Sequence, residues 1–357
     1  AAVCVVGVIT SLEEAEGIIA DGKADIVAMA KSLMSDQHLV QKSLKGKMED
    51  VRPCTRCDLC GNHQMFGTPM ACMINPRFKI LGDIEPVAEK DRKKVLVVGG
   101  GPAGMMAAQT ATARGHAVTL CEKSDRLGGL LNDATQLPFK KYMRLYLAWD
   151  KRATEACGAL INLKAEVTAE TVEKETPDAI IVATGSGYLT PPIPGIDLPH
   201  VVPVREADAA PQKLGMKVVV CGGGLSGLEC ALSLAQEGKK VTVIDMIPSE
   251  MFSIEMPVFN RSDLLIRLEG LGVILRGNLM ITAFTEEGVE ARDADGKAVK
   301  LEADNCVNAL GVKPDNALGL ELLAKYPADV YLVGDCVGPG RNYGNANHDA
   351  YNAAMRI

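Results

Sequence analysis

One glycine pattern occurs twice along this 357-residue chain, and the two copies keep a constant separation. The first is Val98-Gly99-Gly100-Gly101-Pro102-Ala103-Gly104, and the second is Cys221-Gly222-Gly223-Gly224-Leu225-Ser226-Gly227. Gly222, Gly227 and Asp245 follow Gly99, Gly104 and Glu122 by the same 123 residues. Each copy is entered from an apolar strand, leaves into a helix, and is followed by a second strand that closes on an acid. A single glycine motif is weak evidence. Two copies in the same context require two nucleotide-type α/β units in tandem.

The residue types explain what such a turn does. Gly99 permits the tight turn, Gly101 lets the backbone approach a pyrophosphate, and Gly104 lets helix pack on strand. The diphosphate then rests on the free N–H groups of the helix N-terminus. Glu122, at the end of the next strand, is placed to accept hydrogen bonds from adenosine ribose hydroxyls. In the second copy Gly222, Gly224 and Gly227 repeat these roles. Asp245 favours the free 2′-hydroxyl of NAD over the 2′-phosphate of NADP, and no arginine follows it in Met246-Ile247-Pro248.

Composition narrows the class. At 47% hydrophobic and 23% charged residues, the chain has room for two or three domains with sizeable cores. A net charge of −7 argues against a nucleic-acid binder or a polybasic membrane-surface protein. No apolar run approaches the ~18 residues of a membrane span, and the start lacks a basic-then-apolar signal pattern, so a cytoplasmic location is expected.

Outside the two units the text changes character. Residues 1–50 read as strand (3–9), helix (12–21), strand (24–30), helix, the rhythm of a parallel α/β unit. The abrupt Ala-Ala-Val-Cys opening reads as a cut through a longer chain. Residues 51–90 show little periodicity and are expected to be a loop region. Residues 139–152 are expected to form an amphipathic helix with Tyr142, Leu145, Tyr146 and Trp149 on one face and its basic residues solvated.

Cysteine spacing organises the loop region. Cys54, Cys57 and Cys60 stand at i, i+3, i+6, and Cys72 follows. That run resembles the contiguous part of a [4Fe–4S] ligand set; structural zinc normally uses two separated C-x2-C knuckles. A cluster, a zinc ion and neither remain open at this point. The other seven cysteines, Cys4, Cys121, Cys157, Cys221, Cys230, Cys306 and Cys336, are expected to be small apolar core residues. His63 is expected at the surface or behind the thiols. His348 is expected to begin the last helix, there to face a cofactor, cap the helix or sit at the surface.

Three strand-to-turn junctions complete the pattern: Ala183-Thr184-Gly185, Ala309-Leu310-Gly311, and Val330 to Val333 followed by Gly334-Asp335. In this order they resemble the flavoproteins with two dinucleotide-binding domains. With the cysteine segment in front, essentially the whole chain resembles the C-terminal part of the NADH:flavin oxidoreductases of the 2,4-dienoyl-CoA reductase and trimethylamine dehydrogenase type.

The resemblance implies an α/β fold with two Rossmann-like domains, the NAD domain inserted in the FAD domain. These are preceded by an iron–sulfur segment and the last two units of a (β/α)8 barrel. The corresponding boundaries are 1–50 for the barrel remnant, 51–90 for the cluster segment, 91–212 with 305–357 for FAD, and 213–304 for NAD(H). It implies that Gly334 and Asp335 contact the flavin side, with Asp335 on the ribityl chain, and that Thr184, Gly185 and Gly311 lie near the cofactors. Arg126 is counted with the cofactor-binding residues, and Cys54, Cys57, Cys60 and Cys72 with the metal ligands. Gly7, Ala30 and Lys31 match the FMN-phosphate site, although the family usually shows Gly-Arg at Ala30-Lys31; a solvated Lys31 is the competing reading.

The implied activity passes electrons from NADH to FAD, to the [4Fe–4S] cluster, to FMN, and finally to an activated C=C bond of an enoyl-CoA, enoate or related enone. No catalytic acid or base is named. The partners implied are NADH and an unsaturated small molecule; the two barrel units are expected to expose apolar strand edges and faces, with homo-oligomerisation or local disorder of residues 1–50 as the result. Two other readings stay open: an electron-transfer or ADP-binding structural module as in the amine dehydrogenases, and a zinc-stapled interaction domain.

Overall fold

The computed structural model describes residues 1–80, 82–338 and 342–357. It divides into two compact units, the first formed by Ala1–Asn132, Lys141–Ser186 and Pro314–Ile357, the second by Asp133–Lys140 and Gly187–Lys313.

A five-stranded parallel sheet centres the first unit, in the order Val330–Leu332, Ala179–Val182, Lys94–Val98, Ala117–Glu122, Leu160–Leu163. Both faces are covered, which is why its central strands are almost wholly apolar. Val95 and Val97 point to one face, against helices Pro102–Ala113 and Tyr343–Ala354. Leu96 and Val98 point to the other, where Val172 and Leu322 pack. Each such fully buried side chain stabilises the fold by about 1.5–3 kcal/mol.

The second unit repeats the plan with a sheet ordered Ile274–Arg276, Lys240–Ile244, Lys217–Cys221, Asn305–Asn308, Val201–Pro203. Helix Leu225–Gln236 covers one face through Leu228 and Leu232. The opposite face carries an antiparallel sheet of Met280–Thr285, Gly288–Arg292 and Ala298–Glu302, whose Phe284, Val289 and Leu301 pack on Val219 and Ile244. Residues 187–212 and 305–313 group with this unit, whereas the sequence reading put them with the first. The reason is strand pairing: Val201 lies opposite Cys306, and Cys306 opposite Val219. A three-residue strand such as Val201–Pro203 carries no periodicity to reveal it.

Residues 1–50 form a parallel pair, Cys4–Val6 with Ile26–Ala28, around helix Leu12–Ala20. Ser11 caps that helix by accepting the Glu14 N–H at 3.1 Å. Val6, Val8 and Ile26 stand exposed. The region expected to be loop contains the short α-helix Leu59–Met65, entered from Asp58 in a left-handed conformation, and a 3-10 turn at Glu89–Asp91.

Three other expectations shift. The amphipathic helix runs Lys141–Ala156, and its buried face is Tyr146, Trp149 and Asp150, with Leu145 outside. The last helix begins at Tyr343, because Asn342 and Asn345 form a reciprocal cap, so His348 lies in its middle. Five of the seven remaining cysteines are buried, but Cys4 is exposed and Cys157 half-buried. Among the described residues no helix is long and apolar enough to cross a membrane.

Candidate functional site

The two glycine turns are built alike, atom for atom. Gly99 N–H donates to the Cys121 carbonyl at 2.8 Å, and Gly222 N–H to that of Ile244 at 2.8 Å. A Cβ on Gly99 would overlap the carbonyl of Ala183, and one on Gly222 the carbonyl of Ala309. Both glycines have positive φ, 105° and 125°, so each requires glycine twice over. A Cβ on Gly104 would overlap the Gly99 oxygen, and one on Gly227 the Gly222 oxygen. Gly224, by contrast, has open space beside it and Gly101 meets only Gly129 at ordinary contact, and the two cap the helices Pro102–Ala113 and Leu225–Gln236. An open glycine at a helix N-terminus is the form a pyrophosphate needs.

The acids hold these turns. Glu122 accepts the N–H groups of Gly100 at 2.6 Å and Ser124 at 2.7 Å. Asp245 accepts those of Gly223 at 2.7 Å and Ile247 at 3.2 Å. Sequence reasoning gave both acids a ribose-facing role and missed this support. A hydrophobe sits beneath each middle glycine: Leu127 under Gly100, Phe252 under Gly223. Ser253, buried with φ 48°, places its hydroxyl 3.3 Å from the Gly223 carbonyl.

Other first-unit residues gather around the turn at Gly99. Gly334, with φ 71°, packs against Ala103 at the start of the glycine-motif helix. Asp335 follows it, and its carboxylate accepts the Ser186 hydroxyl at 3.3 Å. Thr184 donates to the Asp315 carbonyl, and the Asp315 N–H donates to Gly185 at 2.9 Å. Gly129 lies against Gly101, in a loop fastened by Gly128 N–H to the Gly100 carbonyl at 2.8 Å. Arg126 is exposed and lends positive potential to Lys151. In the second unit Gly311 has φ 99° and open space beside it.

The N-terminal candidates are placed differently from one another. Gly7 and Ala30 are exposed, following the two short strands. Lys31 pairs with Asp58 of the cysteine loop, and that carboxylate holds the ammonium above its usual range.

The cysteine segment is moored to the first unit's helices. Arg56 and Asp58 adopt left-handed turns between successive cysteines, with φ 56° and 60°. Alternating turns of this kind direct backbone N–H groups toward an anionic centre, and the Arg56 N–H indeed donates to Cys54 Sγ at 3.4 Å. Arg56 also stacks on Tyr142 at 3.9 Å, and Arg52 on Trp149 at 4.8 Å. His348 Nε2 lies 2.8 Å from the Cys72 carbonyl, and Asn347 donates to the Met73 carbonyl at 3.2 Å. Tyr343 OH and Thr55 Oγ1 are 3.0 Å apart. His63 instead bonds Thr68 at 2.7 Å. Neither Tyr343 nor Thr55 carried a sequence signal beyond its neighbourhood.

Burial pushes the thiols of Cys54 and Cys57 up, and that of Cys72 up to about 11, with backbone N–H groups acting in the opposite direction. Neighbouring thiols add to the rise: Cys57 and Cys60 at Cys54, Cys60 at Cys57, and Cys54 and Cys57 at Cys72. Among the described residues no three His, Cys, Asp or Glu side chains converge closely enough to hold a single metal ion. A zinc–thiolate site needs sulfurs about 3.8 Å apart, from its Zn–S length. A cubane takes one thiolate at each iron and so accepts a wider set. Cys54, Cys57, Cys60 and Cys72 are half-buried in one segment, and Cys54, Cys57 and Cys72 take backbone N–H donors, as thiolate ligands of either kind would.

Two parallel nucleotide folds with duplicated glycine turns define a dinucleotide-dependent oxidoreductase. The chain belongs to the pyridine nucleotide-disulphide oxidoreductase family, whose pattern matches residues 93–354; the family implies FAD and NAD(H), with NAD(H) as electron donor. It is 34% identical over 348 residues to an NADH oxidase of Thermoanaerobacter brockii, covering 95% of this chain and 53% of that protein. It is 35% identical over 355 residues to a bilirubin reductase of Mediterraneibacter gnavus, covering 98% and 54%. A 2-naphthoyl-CoA reductase structure superposes with a TM-score of 0.89 at 34% identity, over 100% of this chain and 54% of that one. The chain thus spans about half the length of these relatives.

Proposed function

We propose that this chain is the electron-input part of an NADH-dependent flavin and iron–sulfur oxidoreductase. In this reading the residues of the first glycine turn would hold FAD, which supplies two-electron chemistry with NADH, and the four thiols would hold a [4Fe–4S] group, which supplies single-electron exchange toward FMN. The final acceptor is an activated C=C bond in an enoyl-CoA, an enoate or a related enone. The relatives named for bilirubin and 2-naphthoyl-CoA reduction support an unsaturated, conjugated acceptor.

The observation that carries the reading is the mooring of the cysteine segment to the last helix of the unit that holds the first glycine turn. Helix Tyr343–Ala354 packs against Gly334 through Ala346 and bonds Cys72 through His348. One rigid element therefore touches both the Gly-Asp turn and the thiol loop. Glu122, Gly101 and Asp335 would hold FAD, while Gly224 and Asp245 would hold NADH. Gly7, Ala30 and Lys31 would face FMN phosphate, with Lys31 shared with Asp58.

Cofactor analysis of anaerobically purified protein tests this. FAD together with iron and acid-labile sulfide, and NADH-driven reduction of an artificial acceptor, are expected. Colourless protein containing zinc would overturn the reading.

A further inference from the structure

The first residue of the last helix reaches the thiol loop through a second hydroxyl. Tyr343 OH lies 3.0 Å from Thr55 Oγ1, and the Thr55 hydroxyl is hydrogen-bonded to the sulfur of Cys57. Hydroxyl stoichiometry fixes the direction of this chain. A ligating thiolate only accepts, so with the four-thiol group in place Thr55 gives its one proton to Cys57 and accepts from Tyr343. The order is Tyr343 O–H to Thr55 Oγ1, then Thr55 O–H to Cys57 Sγ.

The tyrosine is held from three sides. Asn342 accepts the N–H groups of Gly344 at 2.9 Å and Asn345 at 3.1 Å, which fixes where the helix starts. The Tyr343 ring leans on Tyr146 with centroids 6.3 Å apart. Asn347 donates to both Tyr146 OH and the Met73 carbonyl, at 3.2 Å each, tying that ring to the cysteine segment. Nothing in nucleotide binding uses this construction.

We propose that Tyr343 and Thr55 form a two-step hydrogen-bond relay that ends on Cys57 and tunes the electron affinity of the group held by the four thiols. The proposal rests on the iron–sulfur reading above. A hydrogen bond drains charge from the ligating sulfur and so favours the more negative, reduced state, raising the potential. Linked hydroxyls polarise one another, so the outer bond strengthens the inner one. Both are tuning residues.

The test is an anaerobic potentiometric titration of the cofactor-loaded chain, followed by electron paramagnetic resonance, with iron and sulfide measured on each sample. Thr55→Val removes the donor to Cys57. At a set potential its reduced-to-oxidised ratio is expected to fall about tenfold, a shift of about 59 mV for a one-electron couple. Tyr343→Phe shifts the same way by less, and Thr55→Ser restores the parent value. Because the hydroxyls act in series, the double variant shifts no further than Thr55→Val alone. Should Thr55→Val fail to hold iron, Tyr343→Phe decides by the same criterion. Unchanged potentials at parental iron content, or additive shifts, overturn the relay while leaving the cluster reading intact. Absence of iron and sulfide from the parent protein overturns both.

Discussion

Glu122 accepts the backbone N–H of Gly100 at 2.6 Å. The same bond recurs between Asp245 and Gly223 at 2.7 Å, so each acid braces the middle glycine of its own turn. Glu122→Ala removes this acceptor and the one for Ser124. Hydrogen bonds to a charged group contribute about 1.5–3 kcal/mol each. The variant is expected to lose FAD on gel filtration and to unfold several degrees earlier, while Glu122→Gln, which keeps one acceptor oxygen, falls between. Bound flavin per chain after desalting measures this.

In the proposed function Asp245 would carry the nucleotide preference of the second unit. Replacing it by Asn keeps one acceptor for the Gly223 N–H but removes the charge that repels a 2′-phosphate. The ratio of kcat/KM for NADH over NADPH is expected to fall at least tenfold, a change of about 1.4 kcal/mol. Steady-state reduction of an artificial acceptor with each nucleotide reports it; an unchanged ratio would mean that Asp245 serves the turn alone.

How much of this was readable beforehand follows from the range of each interaction. Gly99, Gly104, Gly222 and Gly227 were legible because a Cβ at each would overlap a neighbouring carbonyl, which leaves no other residue type. Cys54, Cys57 and Cys60 announced themselves by spacing. Tyr343, Asn347 and Thr55 did not, since partners hundreds of positions apart leave no local pattern. Asp150 went unnoticed for another reason: helical periodicity of apolar residues says nothing of a carboxyl turned inward. His348 was assigned to the helix start because Asn342-x-x-Asn345 is a less common cap than Ser or Thr with Glu.

Asp150 makes stability depend on pH. Burial pushes its carboxyl up to about 6, although Gln109 donates to it at 2.8 Å. An unfolded aspartate titrates near ~3.9. Between these values the folded chain keeps a proton that the unfolded chain has released, so stability falls as pH rises. The contribution is whole below about pH 4 and is lost as pH passes about 6, about 3 kcal/mol in total. Asp150→Asn, which cannot ionise, should match the parent near pH 4 and gain on it progressively toward pH 7. Urea unfolding at both pH values checks the crossover.

Lys140 and Glu229 form an ion pair inside the second unit, with side chains only 16% and 15% exposed. Burial pushes Glu229 up, and Lys140 opposes it. Lys140→Met strands that carboxyl, at a cost of about 3–5 kcal/mol. Lys140→Met with Glu229→Leu removes both charges and should recover most of the loss. Chemical denaturation of the single and double variants separates the pair from its packing.

The central claim is that NADH electrons enter at the second glycine turn and reach the thiol loop. Anaerobic titration of the cofactor-loaded chain with NADH, monitored by visible absorbance and by electron paramagnetic resonance of frozen samples, tests it most directly. The account predicts that NADH bleaches the flavin band and that a reduced iron–sulfur signal grows in with it. A flavin band that stays oxidised under excess NADH, in protein that dithionite does reduce, would contradict it.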